Sequence, residues 1–372
     1  MIFRGQRGNL NQKGRTKMNV SMPQRFVFLA RLFLLSSPLL GLLWPGPLEA
    51  LVAGSLLPTL VHLVTLGFFV PLVLAYAYQQ GMAWPKLTPV IFALWALGLL
   101  AFLAGILGQN RWAFYLGGHY AAPGALYLFC AQAAKTAWSR RSQGGLIGLG
   151  WSVLGLFVVA NLGGMLVLDR FYGGKYAFYS PHAVLAHGLA AFGLFVLPYL
   201  SFRLSPQESS ALTLGLGILP LGLYLYGWLG EKPELYPLAM LAFVPPFLRL
   251  ALALDWRSKT QKLYKTGWLL AALGLVTGAL GQGLALGEPQ GLMGFGLFLV
   301  YGLLVPGFVT TAGLDQEVKK PEVYGMVALL LGWALGMGFF WDLPLKPGFA
   351  AYLLLGLVWL KPWVIRPALR AP

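Results

Sequence analysis

The sequence predicts an all-α fold, a polytopic transmembrane helical bundle of about 12 spans with the N and C termini cytoplasmic. Three observations lead there. The 372 residues are 58% hydrophobic and only 10% charged, with a mean hydropathy of +0.70, whereas soluble domains are about 25% charged. Apolar stretches of roughly 20 residues, the length a helix needs to cross a bilayer, recur along the chain. These stretches are continuously apolar. A membrane β-barrel would instead alternate apolar and polar residues in short segments. The 48 glycines and 25 prolines suit membrane helices better than soluble ones.

Residues 1–26 carry Arg4, Arg7, Lys13, Arg15, Lys17 and Arg25 and no acidic residue, and read as a disordered basic arm. Met18 and Met22 lie inside it as alternative starts. The next apolar run lacks the short core and small-residue cleavage site of a signal peptide, so it reads as an uncleaved anchor. Residues 27–372 form a single transmembrane domain. The spans fall at about 27–44, 51–77, 88–108, 113–134, 145–168, 181–203, 211–230, 236–254, 266–287, 291–312, 323–341 and 348–366, each approximate at its ends.

Orientation follows from the basic residues, which concentrate in cytoplasmic loops. With the N terminus inside, the inner segments hold the basic arm, Lys86, Lys135, Arg140, Arg141, Arg203, Arg257, Lys259, Lys262, Lys265, Lys319, Lys320, Lys361, Arg366 and Arg370. The outer loops keep Arg111, Arg170, Lys175, Lys232 and Lys346. This places the chain in the cell inner membrane as a multi-pass protein with lipids as its partners. The net charge of +16 is spread over these loops, which excludes a nucleic-acid patch. The single cysteine, Cys130, can form neither an internal disulfide nor a zinc site.

All four histidines fall in apolar runs, and an ionisable ring inside a span is costly enough to mark a functional site by default. His62, His119 and His187 lie in the second, fourth and sixth spans, which run parallel from outside to inside. At 1.5 Å per residue they sit about 9 to 17 Å deep, in the outer half of the membrane. His182 is at the outer end of the sixth span beside Pro181, a residue suited to a first helical turn. It is five residues from His187, about 140° around a helix, so the two face different ways. Helix bundles build metal and cofactor sites from side chains on facing helices, and neutral imidazole is a common iron ligand. The functional expectation is a haem, haem b, or another metal centre held by two of His62, His119 and His187. The competing expectation is a non-haem transporter or assembly scaffold whose histidines bond across helices.

The segment around His62, PTLVHLVTLGFFVPLVLAY, is echoed around His187 by VLAHGLAAFGLFVLPYLSF. Each has a histidine, then a glycine, a phenylalanine and a proline (Gly67, Phe68 and Pro71; Gly193, Phe195 and Pro198). With these histidine helices and its span count, the chain resembles the haem-copper oxidase catalytic subunit (subunit I)-like superfamily as a degenerate member. The related NnrS-like membrane proteins share the likeness. The resemblance implies a low-spin haem ligand at His62, His187 as the next candidate, and a place in respiratory electron transfer or nitric-oxide handling. It further implies a redox partner or membership of a respiratory complex. The chain departs from that family after the sixth span, where no histidine remains and the histidine–tyrosine copper motif is absent. Reduction of oxygen or nitric oxide at a binuclear centre is therefore not expected.

Other polar residues read more simply. Arg249 sits near the inner surface, close enough to snorkel. Asp169 and Arg170 close the fifth span at the outer face, with a propionate contact open to Arg170. The glycine-rich runs suit close packing of helices and lack the strand and lysine of a phosphate loop. No Ser-His-Asp or paired-carboxylate arrangement assigns a catalytic residue.

Overall fold

The computed structural model describes residues 21–44, 56–82, 84, 86–139, 146–176, 178, 180–199, 211–253, 349–350 and 353. The ninth to eleventh expected spans lie outside the described residues, as do nearly all of the twelfth and most of the basic arm. Every described element is helical. The order is α1 (Ser21–Leu43), α2 (Leu56–Val64), α3 (Val70–Ala77), α4 (Thr88–Leu107), α5 (Arg111–Tyr115), α6 (Ala122–Ser139), α7 (Leu146–Phe171), α8 (Pro181–Ala190), α9 (Ala211–Leu229), α10 (Leu235–Leu241) and α11 (Val244–Ala253).

Among the described residues, five helical stretches are long and apolar enough to cross a membrane: Met22–Leu43, Pro58–Ala77, Thr88–Leu107, Gly150–Phe171 and His182–Tyr199. These match five of the expected spans. By length and composition this is a membrane protein. The outward faces agree, since Phe28, Leu43, Leu97, Leu100, Leu154 and Phe157 are exposed. So broad an apolar surface is not tolerated in water.

Local sequence sets the helix ends that matter here. The Asn110 side chain accepts from the Ala113 N–H at 2.9 Å and starts the helix that carries His119. The Ser180 hydroxyl accepts from the Ala183 N–H at 3.1 Å, with Pro181 in the first turn, and starts the helix of His182 and His187. Both are N-caps that satisfy a free amide. Gly81, at φ 82°, ends the second span in a left-handed turn.

Prolines then reshape three helices in one way. A helical proline has no N–H, and its ring presses on the carbonyl four residues back. Ahead of Pro71, Pro123 and Pro198 the backbone widens into π turns at Thr65–Phe69, Leu116–Ala121 and Ala191–Val196. In each case the residue preceding the proline bonds five residues back: Val70 to Thr65, Ala122 to Gly117 and Leu197 to Phe192. The helices continue through these turns, each with one extra residue inserted.

The expected eighth span does not form as a single helix. It breaks at Ala242–Phe243 between α10 and α11. Pro245 and Pro246 follow directly and supply no amide to Leu241 and Ala242, so two successive helical bonds are lost. Helix packing follows chain order: α1 lies on α2 and α3, α4 on α5 and α6, and α7 on α6 and on the π turn Ala191–Val196. The last of these contacts is locked by the buried Ser152 hydroxyl, which donates to the Phe195 carbonyl at 3.0 Å.

Candidate functional site

Two of the four histidines, His119 and His187, lie against α7, and these two and His62 each lie in or beside a π turn. Such turns recur at functional sites because the extra residue re-aims side chains. His62 precedes the first π turn, His119 sits inside the second, and His187 ends four residues before the third.

His62 is half-buried on α2. Its Nδ1 lies 2.6 Å from the carbonyl of Pro58, one turn back. A carbonyl only accepts, so Nδ1 carries the proton and Nε2 keeps its lone pair. The ring stands edge-on to Phe102 of α4, with centroids 5.1 Å apart and planes at 83°.

His119 reaches across to α7. Its Nδ1 donates to the Gly164 carbonyl at 2.9 Å, so here too Nε2 is the free nitrogen. The ring is stacked on Tyr115 at 5.2 Å and 8°, and Tyr120 meets it edge-on at 4.8 Å. Tyr115 in turn stacks on Phe171 at 4.1 Å and shares a hydroxyl hydrogen bond with Tyr120 at 3.1 Å. Two histidines thus have one ring nitrogen tied to a backbone carbonyl. This fixes tautomer and orientation as outer hydrogen bonds do for metal-ligating histidines.

His187 approaches the neighbouring residue of the same helix. A Cβ placed on Gly163 would stand 3.0 Å from His187 Cε1, while one on Gly164 would stand 3.5 Å from His119 Nδ1. The Gly163–Gly164 pair therefore seats two imidazoles on adjacent positions of α7. Nδ1 of His187 is buried with no hydrogen-bond partner among the described residues. His62 and His187 are within electrostatic range of each other. Phe102, which carries His62, also lies against Gly118, next to His119. The three rings thus share one neighbourhood.

His182 stands apart. Its Nδ1 is 2.8 Å from the Tyr224 hydroxyl, and its ring stacks on Trp228 at 5.6 Å with Tyr236 at the same distance. It pins α8 to α9 and α10, a structural role. Asp169 is also structural: buried, it accepts from the Tyr176 N–H at 2.7 Å and holds the turn that follows α7. Arg111 donates to the Phe171 carbonyl and lies 4.5 Å over the Phe171 ring. Arg170 lies 5.9 Å from the Phe114 ring, and Arg249 is half-buried on α11.

Sequence reasoning missed the two-glycine seat, Phe102 and the stack on Tyr115. The prolines that place the π turns were the available signal. Among the described residues no group of three His, Cys, Asp or Glu side chains could hold a metal ion; axial ligation of a haem needs only two. Comparison of the chain with known protein families, with curated proteins and with solved structures found no match.

Proposed function

We propose that the protein is an integral membrane haem-binding protein of b type, with iron held by two of His62, His119 and His187. It would serve respiratory electron transfer or nitric-oxide handling as a degenerate relative of haem-copper oxidase subunit I. One observation carries this reading: two intramembrane imidazoles, those of His119 and His187, lie against one pair of glycines, while His62 and His119 each have Nδ1 tied to a backbone carbonyl.

The residues fit the group in two ways. Gly163 and Gly164 leave bare backbone where side chains would otherwise fill the space beside two histidine rings. The Nδ1 of His187 is a buried polar atom without a partner among the described residues, whereas buried polar groups are almost always bonded. A bound haem would supply one-electron exchange at its iron. The protein would orient the imidazoles through the Pro58 and Gly164 carbonyls and shield the site with Phe102 and Tyr115. Arg111 and Arg170 mark the outer end of α7, where propionates would find positive charge.

Visible spectra of the purified full-length protein, oxidised and reduced, test the reading. A Soret band in the wild type that is lost in at least two of His62→Ala, His119→Ala and His187→Ala supports it. His182→Ala should keep the band. A folded, colourless protein from haem-replete cells would overturn it, leaving the scaffold or transporter reading.

A further inference from the structure

One side chain, Phe102, touches both His62 and the turn that carries His119. It is buried on α4, and its ring has three close neighbours. The His62 ring meets it at 5.1 Å and 83°. Phe114 stacks on it at 5.4 Å and 25°. Gly118, the residue before His119, approaches so closely that a Cβ there would stand 2.7 Å from Phe102 Cε2 and nearer still to Cδ2. The next atom that Cβ would meet is in Val167 of α7, at 3.1 Å, and none of these three nearest atoms belongs to His62.

The backbone around Phe102 has little slack. A Cβ on Gly117 would overlap the Phe102 nitrogen and the Gly98 carbonyl, and one on Gly98 would stand 2.6 Å from the Ala122 nitrogen. So α4 and the π turn Leu116–Ala121 meet backbone to backbone, with no side chain between them to absorb a shift. Nearer its start α4 is also tied to α6, where the buried Gln132 donates from Nε2 to the Thr88 hydroxyl at 3.4 Å, beside Tyr78.

A close-packed interior passes a displacement on to its neighbours. Among the neighbours of the Phe102 ring, His62 is oriented by a hydrogen bond, with Nδ1 2.6 Å from the Pro58 carbonyl. Such bonds weaken steeply with angle, so a small rotation of the imidazole breaks this one. We infer that Phe102 is a positioning residue shared by the two histidines, its ring setting the orientation of His62 from the position of the turn that carries His119. As a way of placing iron ligands this rests on the haem reading; the coupling itself does not.

The test is a double-mutant cycle read at His62, in full-length protein with 15N-labelled histidine and imidazole resonances assigned from His62→Ala and His119→Ala. The tautomer ratio reports the Pro58 bond, because only the form protonated at Nδ1 donates to that carbonyl. Gly118→Ala should lower the ratio of Nδ1–H to Nε2–H forms of His62 about fivefold, the weight of one hydrogen bond. In a Phe102→Leu background the same Gly118→Ala should leave His62 unchanged, since the ring that transmits the push is gone. Gly124→Ala, whose Cβ meets nothing within 4 Å, should leave His62 unchanged in both backgrounds. If Gly118→Ala does not fold, Phe114→Leu reads the same coupling by withdrawing the stacked ring. A His62 ratio insensitive to these changes would overturn the inference, and so would an equal response in the Phe102→Leu background. A colourless protein would overturn the haem reading and leave this cycle intact, so the two fail separately.

Discussion

His182 and His187 are five residues apart, and their surroundings assign them opposite work. His182 has its Nδ1 bonded to Tyr224 and a stacked indole beneath it, so it fastens three helices. Tyr224→Phe removes one buried hydrogen bond and strands the imidazole, and should cost about 1–2 kcal/mol. Thermal unfolding in detergent would read this as a lowered midpoint, with the visible spectrum unchanged. His187 faces Gly163 at the closest distance a side chain would allow. Gly163→Val places methyl groups into that ring and should reproduce the spectral change of His187→Ala. Gly124→Ala is the matched control, since a Cβ there meets nothing within 4 Å. A normal spectrum for Gly163→Val would show that the seat does not position the histidine.

The repeated element is a histidine helix opened by a downstream proline. Each π turn inserts one residue, which rotates everything before it by about 100° relative to everything after. In the second case His119 lies inside the turn, and the carbonyl pressed by Pro123 is its own. Pro123→Ala restores an amide and removes the clash, so the helix should close to α geometry. An interior proline costs about 3 kcal/mol, so the variant should melt at higher temperature while losing the His119–Gly164 contact. The imidazole 15N shift of His119 would report that loss; an unchanged shift would mean tertiary packing, not proline, imposes the wide turn. Part of this was legible in the sequence. The histidine, glycine, phenylalanine and proline series around His62 and His187 is visible, and so is Pro123 after His119. Whether a proline kinks, breaks or widens a helix is decided by what packs against it. That answer is tertiary: α7 packs on the wide turn ahead of Pro198, where Ser152 donates to the Phe195 carbonyl, whereas Pro245 and Pro246 together end α10. Gly163 and Gly164 could not be singled out among so many glycines, because only the packed neighbour distinguishes a seat from a spacer.

Across the whole molecule, chemistry separates along the spans. The histidines, the tyrosine stack and the Arg111–Arg170 pair lie toward one end; the Tyr78–Thr88–Gln132 cluster and Lys135 lie toward the other. Which end is cytoplasmic rests on the basic loops, because flanking lysine and arginine bias insertion. On that rule the Lys175 turn faces outward and Lys135 faces the cytoplasm. The single cysteine makes this testable, since Cys130 is buried and bonded to the Val153 carbonyl at 3.4 Å. In a Cys130→Ser background, Lys175→Cys should react with a membrane-impermeant maleimide on intact cells. Lys135→Cys, beside the exposed Trp138, should react only after the membrane is opened. The reverse pattern would invert the bundle, placing the histidine pocket in the inner leaflet and the Tyr78–Thr88–Gln132 cluster at the outer surface. The pocket geometry would survive that inversion, because the packing among the helices does not depend on which end faces the cytoplasm.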